Sequence, residues 1–282
     1  MPPKTILITG CGHKSIGSAL ARHFRLLGHT VFATGRTTTP KSLDPTLADL
    51  GCHPLQLDVT SPESIESAKE TISKHTNGKL DILINNAGRL DGLPFADTSL
   101  AEARAVFEVN LFGVWAVTHA FLPLLIEAKG IMAYLGSVNQ VFCPPLTASY
   151  SASKSAVEAL GRVLRRELAP LGVRVVHLKT GSVRTGLFDT PPQLPEGSMY
   201  SAAREVIEGR PWLEARETGF QEVDGWAEGI VKELLREKVR AVVWSGGMST
   251  MAWVLSWFGW ETMMVSEVVI TDVGLGDWID EG

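Results

Sequence analysis

The sequence predicts a single α/β domain in which a doubly wound, seven-stranded parallel sheet has helices on both faces. Two observations lead to this fold class. Short β-branched, apolar runs alternate along the chain with longer stretches at helical spacing, and such strand–helix–strand alternation is typical of parallel sheets. The length of 282 residues suits one large domain over residues 1–282.

Seven segments have the length and composition of strands, and helical patterns lie between them. The predicted strands are residues 4–9, 30–34, 53–57, 80–84, 131–135, 173–178 and 240–244. Helices are predicted at residues 15–27, from 61 onward, at 100–125 and at 150–169. Sheets of this kind bind ligands beyond the carboxyl ends of their strands, so the residues that follow the strands are the candidates for a site.

Charge and cysteine content exclude several classes of protein. The net charge is −5, so no nucleic-acid partner is expected, because phosphate binding requires a basic face. Cys11, Cys52 and Cys143 are far apart and odd in number, which argues against a disulfide framework and against a zinc site. No metal site is predicted. The first strand begins almost at the N-terminus, which leaves no room for a signal peptide and predicts a cytoplasmic location.

A glycine-rich loop joins the first strand to the first helix. Its candidate cofactor-binding residues are Gly10, Gly12, Lys14, Ser15, Ile16 and Gly17. Glycine permits a sharp turn close to a pyrophosphate, and a helix N-terminus offers free N–H groups to phosphates. Turn glycines without a ligand are the alternative, but this position favours a Rossmann-type dinucleotide site.

Arg36 follows the second strand, where NAD-specific sites carry an acidic residue for the ribose 2′-hydroxyl. An arginine there favours the 2′-phosphate of NADP(H), and Lys14 adds a second positive charge nearby. A solvated loop arginine is the alternative interpretation.

Ser137, Tyr150 and Lys154 form the candidate catalytic set. Tyr150 and Lys154 are four residues apart on one helix and so share a face. An ammonium near a tyrosine stabilises the phenolate and lowers the pKa of the phenol, which would let Tyr150 exchange a proton with a carbonyl oxygen as hydride arrives at carbon. Ser137 follows the fifth strand and would hydrogen-bond the same oxygen. A chance tyrosine beside a surface lysine is the alternative.

These segments together resemble the classical short-chain dehydrogenase/reductase family over about residues 4–190. The resemblance is carried by ITGCGHKSIGSALA (8–21), LDVT (57–60), NNAG (85–88), VNLFG (109–113), GSVNQ (136–140), YSASK (150–154) and TGSVRT (180–185). It implies that Asn110 is a fourth catalytic residue, holding a water that links Lys154 to solvent, and that Lys154 also binds the nicotinamide ribose. It implies further cofactor contacts for Tyr150, Asp58, Val59, Asn86, Ala87, Gly88, Val183 and Thr185.

Two positions depart from the family pattern. Ser15 stands where the middle glycine of the loop is usual, so Gly12 is expected to supply the flexibility. Thr180 and Gly181 replace the usual Pro-Gly after strand six. Within the family the chain is most similar to fungal NADPH-dependent 1-acyldihydroxyacetone-phosphate reductases and related tailoring ketoreductases. That resemblance implies reduction of an apolar ketone. Membership of the classical family implies a homodimer or homotetramer whose subunits associate through the helices at 100–125 and 151–169.

Two segments are assigned to the substrate side. Residues 186–223 are rich in proline and glycine and are predicted to form a loop or lid. Its candidate apolar residues are Leu187, Phe188, Leu194, Met199, Tyr200, Trp212 and Phe220, with Phe142 and residues 144–146 as the facing wall. Residues 245–282 form an apolar C-terminal extension, expected to cover the substrate entrance. Burial at a subunit interface, or a peripheral contact with a membrane or lipid droplet, is the alternative.

Two other functions fit the same motifs. One is a non-redox enzyme of this fold, such as an epimerase or dehydratase. The other is a dinucleotide-binding regulator without chemistry, against which the presence of Asn110, Ser137, Tyr150 and Lys154 argues.

Overall fold

The computed structural model describes residues 2–39, 42–188, 191–209 and 219–258, and it contains the expected seven-stranded sheet. The strands are β1 (Thr5–Ile8), β2 (Thr30–Gly35), β3 (His53–Gln56), β4 (Ile82–Asn85), β5 (Ile131–Ser137), β6 (Arg174–Thr180) and β7 (Val242–Ser245). All neighbouring strands are parallel, in the order β3-β2-β1-β4-β5-β6-β7. The order reverses between β1 and β4, which places a ligand crevice at the carboxyl ends of those two strands.

Ten α-helices surround or extend this sheet within the described part of the chain. They are α1 (Ile16–Leu26), α2 (Thr46–Asp49), α3 (Pro62–Thr76), α4 (Leu100–Phe107), α5 (Gly113–Ala128), α6 (Asn139–Phe142), α7 (Ala148–Leu168), α8 (Arg204–Glu208), α9 (Val223–Leu234) and α10 (Ser249–Phe258). Ser15 and Ser61 cap α1 and α3 by accepting hydrogen bonds from backbone N–H groups of the first turn, as serine does at helix starts.

Apolar cores lie on both faces of the sheet, which confirms the doubly wound single domain. One core lies beneath α1 and α9 and includes Phe24 and Trp226. The other lies beneath α3, α5 and α7 and includes Phe121 and Tyr134. Because both faces are covered, every residue of β5 is buried.

The predicted helix at 100–125 is interrupted. A π-helical turn, Glu108–Phe112, separates α4 from α5, and such turns are frequent at functional sites. Taken together, α4, the π-helical turn and α5 (Leu100–Ala128) are long and apolar enough to span a bilayer by length and composition alone, but 44% of the most apolar stretch is buried inside the protein. A core helix of the domain has the same properties.

Other strands and helices begin or end a few residues from their predicted bounds, and one pair of short strands was not predicted. α7 begins two residues before the predicted start, at Ala148. Val183–Arg184 pairs in parallel with Gln221–Glu222, and two-residue strands carry too little pattern to be recognised. Gly246, with a φ of +104°, separates β7 from α10, as the glycine pair there predicted.

Candidate active site

The glycine-rich loop after β1 is packed so tightly that two of its glycines admit no side chain. Gly10 has a φ of +74°, and a Cβ there would lie 2.8 Å from Cα of Ala87. A Cβ on Gly17 would lie 2.5 Å from Nδ2 of Asn86. Both positions therefore require glycine, because a side chain there would push the loop away from the end of β4.

Thr9 ties this loop to the end of β4. Its Oγ1 accepts hydrogen bonds from the backbone N–H groups of Asn86 and Ala87, both at 3.0 Å. In return, the side-chain amide of Asn86 donates to the carbonyl oxygens of Thr9 at 2.7 Å and Gly10 at 2.8 Å. The two loops at the crevice are therefore held as one unit, and Asn86 acts on the loop through these bonds.

Ser15 has a structural reason to replace glycine. Its Oγ accepts from the backbone N–H of Ser18 at 3.0 Å and donates to the carbonyl of Gly10 at 3.2 Å. The side chain thus caps α1, which begins at Ile16, and closes the loop on itself.

Gly12, expected to supply the loop's flexibility, does not adopt a positive φ. Besides Gly10, the left-handed residue of this loop is Lys14, with a φ of 55°. The carbonyl of Lys14 accepts a hydrogen bond from the backbone N–H of Gly186 at 3.2 Å. This bond closes the segment after β6 over the loop and leaves the Lys14 side chain exposed.

The ends of β2 and β3 present the residues expected at the adenosine. Arg36 is exposed, and it makes no hydrogen bond or ion pair with any residue of the described ranges. Asp58 Oδ1 accepts hydrogen bonds from Thr60, from its N–H at 2.9 Å and its hydroxyl at 2.7 Å. Val59 is buried, and a Cβ on Gly113 would meet its Cγ2 at 2.7 Å. The carboxylate orients the turn after β3, while the arginine at the end of β2 keeps its charge unpaired by the described residues.

Ser137 is the last residue of β5. Its Oγ accepts a hydrogen bond from the backbone N–H of Asn139 at 3.1 Å, which leaves the hydroxyl proton to donate elsewhere. Gln140 accepts from the backbone N–H of Ser137 at 3.3 Å, and its amide donates to the carbonyl of Lys154. The side chain of Gln140 therefore connects the end of β5 to α7.

Tyr150 and Lys154 lie in the first two turns of α7. The Nζ of Lys154 is 5.6 Å from the centre of the Tyr150 ring and donates to the carbonyl of Leu135 at 2.8 Å. Burial lowers the pKa of the Lys154 ammonium to about 8, so it is still cationic at neutral pH. A cation is thus held beside the phenol, as the sequence predicted.

Asn110 lies in the π-helical turn and is fully buried. Its side chain accepts from the N–H of Arg89 at 2.8 Å and donates to the carbonyl of Arg89 at 2.9 Å and to Oγ of Ser153 at 3.0 Å. A Cβ on Gly88 would lie 3.5 Å from Oδ1 of Asn110 and 3.9 Å from Nζ of Lys154. Glycine at position 88 therefore keeps open the gap between these two polar groups.

The segment after β6 packs backbone to backbone against the segment after β7. A Cβ on Gly181 would lie 1.9 Å from the carbonyl oxygen of Gly247. Val183 is buried in the short ribbon, and Thr185 accepts a hydrogen bond from Leu187. Gly181, the glycine of the usual Pro-Gly pair, thus allows a close approach of two loops, and the departure at Thr180 leaves it in place.

The described part of the predicted lid has a small apolar cluster of its own. The cluster contains Leu194, Ala203 and Ile207, with Leu93, Leu146 and Tyr200 packed against it. Met199 is 82% exposed and Leu187 is 48% exposed, so these two do not form a lining. Residues 210–218, with Trp212, lie outside the described residues, as do residues 259–282 of the C-terminal extension.

Four residues that connect the site were not singled out from the sequence. They are Thr9, Arg89, Gln140 and Ser153. Gln140 and Ser153 both lie inside motifs already recognised, and Oγ of Ser153 donates to the Tyr150 carbonyl at 2.7 Å. Polar residues within a recognised motif were therefore a usable signal for residues that connect the site. Arg89 contacts Asn110 through its backbone atoms, which the identity of its side chain does not reveal.

A parallel sheet with a glycine loop after β1 and a serine–tyrosine–lysine set after β5 is the architecture of dinucleotide-dependent oxidoreductases. The model of the short chain dehydrogenase family matches residues 4–193. The chain is 38% identical to the short-chain dehydrogenase cctT of Talaromyces islandicus over 260 residues, 90% of each chain. It is also 38% identical to the short-chain dehydrogenase ptmH of Penicillium ochrochloron, over 91% of this chain and 93% of that one. The protein belongs to the short-chain dehydrogenase family and is an oxidoreductase.

Solved structures show the same fold. A short-chain dehydrogenase from Streptomyces avermitilis superposes with a TM-score of 0.75 at 27% identity, covering 95% of this chain and 99% of the other. An alcohol dehydrogenase from Thermococcus sibiricus, solved with 5-hydroxy-NADP, superposes with a TM-score of 0.71 at 24% identity, covering 87% and 97% of the two chains.

Proposed function

We propose that the protein interconverts a ketone and a secondary alcohol with NADP(H), on an apolar substrate such as a lipid precursor or a polyketide-type metabolite. The observation that carries the proposal is the connection of Ser137, Tyr150 and Lys154 at the carboxyl end of β5. Gln140 joins Ser137 to Lys154, and the Lys154 cation lies beside the Tyr150 ring.

Each of the three side chains has one task in ketone reduction. Tyr150 gives its proton to the substrate oxygen as negative charge develops there. Ser137, whose hydroxyl proton is not used by Asn139, donates a hydrogen bond to the same oxygen. Lys154 keeps a positive charge beside the phenol, which favours the phenolate left after proton transfer.

The residues around the crevice fit a phosphorylated dinucleotide. Gly10 and Gly17 let the loop and the N-terminus of α1, where phosphates are favoured, pack tightly against Asn86 and Ala87, and a Cβ at either position would disrupt this packing. Arg36, unpaired within the described residues, suits the 2′-phosphate that distinguishes NADP(H). The nicotinamide supplies the hydride when the cofactor is bound. Lys14, Asp58, Val59, Asn86, Ala87, Gly88, Val183 and Thr185 complete the proposed contacts.

The substrate class is supported by the lid. Its small cluster joins Leu194 and Tyr200 to Leu146, two residues before the start of α7, so apolar groups of the lid reach the segment that leads into the catalytic helix. The reduction of an acyldihydroxyacetone phosphate is one reaction of this type. α10 packs against α6, which follows Ser137, and this contact favours the interpretation that the C-terminal extension covers the substrate entrance. Trp257 of the same helix is 74% exposed, which favours the alternative that the extension contacts a lipid surface.

A homodimer or homotetramer is part of the proposal, with the protein in the cytoplasm. The helices expected at the interface expose large apolar side chains: Phe112 is 52% exposed, Trp115 57% and Val163 50%. Light scattering at micromolar concentration tests this, and a monomer would exclude these helices as an interface.

The experiment that tests the activity is a panel of apolar ketones incubated with the full chain and NADPH. We expect loss of NADPH absorbance with at least one ketone and much slower loss of NADH absorbance. Turnover of no ketone, together with epimerisation or dehydration of a substrate without net cofactor change, would refute the redox proposal.

A further inference from the structure

A cavity lies away from the catalytic residues. It has a volume of about 240 Å³ and is bounded by the β5–β6–β7 end of the sheet, by α7 and by α10. We call it the α7–α10 cavity. Ser137, Tyr150 and Lys154 do not line it, whereas Glu158, one turn beyond Lys154 on α7, does.

The charge around this cavity is positive. Lys179 and Arg162 both pair with Glu158, at 3.0 Å and 2.9 Å between nitrogen and Oε1. Arg165 donates to two backbone carbonyl groups, which carry no net charge. Three cations therefore face one carboxylate among the lining residues, and Lys179 is 8% exposed, where water screens its charge poorly. An anion is the complementary ligand.

The walls of the cavity are aromatic. The Nζ of Lys179 lies 4.6 Å from the centre of the Trp244 ring. Trp253 and Trp257 of α10 meet edge to face, with ring centres 6.2 Å apart, and both line the cavity. Tryptophan faces attract both aromatic rings and cations, so these walls favour a flat ring between the cations.

The base of the cavity is formed by the stacked side chains of Tyr134 and His177. The Tyr134 and His177 rings stack at 4.6 Å. The Tyr134 hydroxyl and Nε2 of His177 are buried without a hydrogen-bond partner among the residues that the structure describes. Burial, and then the charge of Lys179, lowers the pKa of His177 to about 2, so the ring is neutral and does not add to the positive charge. The Tyr134 hydroxyl and His177 Nε2 lie against Gly161 and Gly136, where a Cβ would come within 2.0 Å and 1.9 Å of them, so they offer no polar group to the cavity.

We propose that the α7–α10 cavity binds a monocyclic aromatic carboxylate. The carboxylate meets Lys179 and Arg165, and the ring lies against Trp244 and Trp253. The volume is below the roughly 300–1,000 Å³ usual for drug-sized ligands, which limits the ligand to one ring. The active site takes a ketone and a dinucleotide, so this ligand is neither substrate nor cofactor.

The test is isothermal titration calorimetry on the full chain with benzoate, in the presence of saturating NADP⁺. Two probes accompany it: benzamide, which keeps the ring and lacks the charge, and acetate, which keeps the charge and lacks the ring. We expect saturable benzoate binding at least about tenfold tighter than that of either probe. Benzamide lacks the charge-assisted hydrogen bond, and acetate lacks the contact of the ring with the tryptophans, and each is expected to contribute about this much.

Variants locate the binding. Lys179→Met and Trp253→Ala should each weaken benzoate binding by about tenfold or more; Trp253 is 45% exposed, so its loss should not prevent folding. Lys238→Met removes an exposed lysine that does not line the cavity and should leave the affinity unchanged. Absence of saturable binding, equal affinity for benzamide, or benzoate affinity unaltered by both cavity variants would overturn the proposal, whether or not the enzyme reduces ketones.

Discussion

The cofactor side and the substrate side of the crevice are built in different ways. On the cofactor side, four hydrogen bonds join Thr9 and Gly10 to Asn86 and Ala87 across adjacent loops, and Gly10 and Gly17 admit no Cβ. On the substrate side, residues 191–209 are held by a cluster of only three buried apolar residues and a few polar contacts such as Ser198 to Asp97 at 2.7 Å.

The difference shows where geometry must be rigid. Hydride transfer and proton donation require atoms held within a fraction of an ångström, and a packed sheet edge supplies this. A lid must admit and release substrate, and local opening is easiest where few apolar contacts are lost. We therefore expect substitutions on the cofactor side to affect the reaction rate, cofactor binding and stability. Substitutions on the substrate side should affect substrate affinity.

The largest effect is expected from Tyr150→Phe. Removing the proton donor should lower kcat by about 10²–10⁴-fold, with the dissociation constant for NADPH nearly unchanged, as steady-state kinetics and a cofactor titration would measure. Tyr200→Phe in the lid is the matched control and should leave kcat within about twofold. Near-normal kcat in Tyr150→Phe would remove this residue from the mechanism.

Lys154→Met should separate stability from activity. The pKa of Lys154 is lowered from 10.5 to about 8, so the folded protein disfavours the cation. Below pH 8 this destabilises the fold, and the penalty disappears as the pH rises from about 8 to 10.5. At pH 7 the variant should be inactive yet more stable by as much as about 3 kcal/mol.

Urea unfolding at pH 7 and pH 10 measures this difference. The advantage of Lys154→Met over the wild type should shrink at the higher pH, and Lys238→Met should show no such trend because Lys238 is exposed. An advantage that grew with pH would contradict the assigned direction of the shift.

Arg36→Asp tests cofactor choice on the rigid side. A charge-assisted contact with a 2′-phosphate corresponds to about a tenfold to hundredfold preference, so the ratio of kcat/KM for NADPH over NADH should fall by that factor. Lys238→Asp makes the same change of charge away from the crevice and should preserve the ratio. Equal use of both cofactors by the wild type would show that Arg36 does not recognise the phosphate.

Gly17→Ala tests the tight packing itself. A Cβ 2.5 Å from both Asn86 Nδ2 and the Gly10 carbonyl oxygen must displace the loop, at a cost of about 1–3 kcal/mol, with weaker NADPH binding. Gly229→Ala, where a Cβ meets nothing within 4 Å, should instead stabilise α9 by about 0.5–1 kcal/mol. Thermal unfolding of both variants decides whether the loss of stability in Gly17→Ala comes from steric crowding at that position or from the replacement of a glycine as such.

The smallest effect is expected in the lid. Leu194→Ala should raise the substrate KM by about fivefold and change the thermal midpoint by less than about 2 °C, because its cluster is separate from the main cores. Leu20→Ala in the core beneath α1 should lower the free energy of unfolding by about 2–5 kcal/mol. A comparable loss of stability from both variants would mean that the lid is part of the main fold.

Most of the fold and much of the site's layout could be predicted from the sequence. Strand and helix alternation carries its own periodicity, so all seven sheet strands were located within a few residues. Lys14 could not be recognised as the left-handed residue, because the φ depends on the bond from Gly186 to its carbonyl, made by a distant segment. The apolar residues of the lid likewise looked equivalent, although Leu194 is buried and Met199 is exposed. Which apolar residue of a loop turns inward depends on tertiary packing, which no local pattern encodes.

The π-helical turn at Glu108–Phe112 fixes the number of residues between α4 and α5 as strictly as the site fixes their identity. Such a turn is one extra residue within a helix, and each residue of a helix advances its face by about 100°. Deleting one residue here would restore a regular helix but rotate α4 and α5 relative to each other by that angle. Either Asn110 would swing out of contact with Arg89 and Ser153, or the apolar face of α5 would turn from the core toward solvent. Chains that share this site should therefore align through residues 108–112 without a gap, even where the surrounding residues differ.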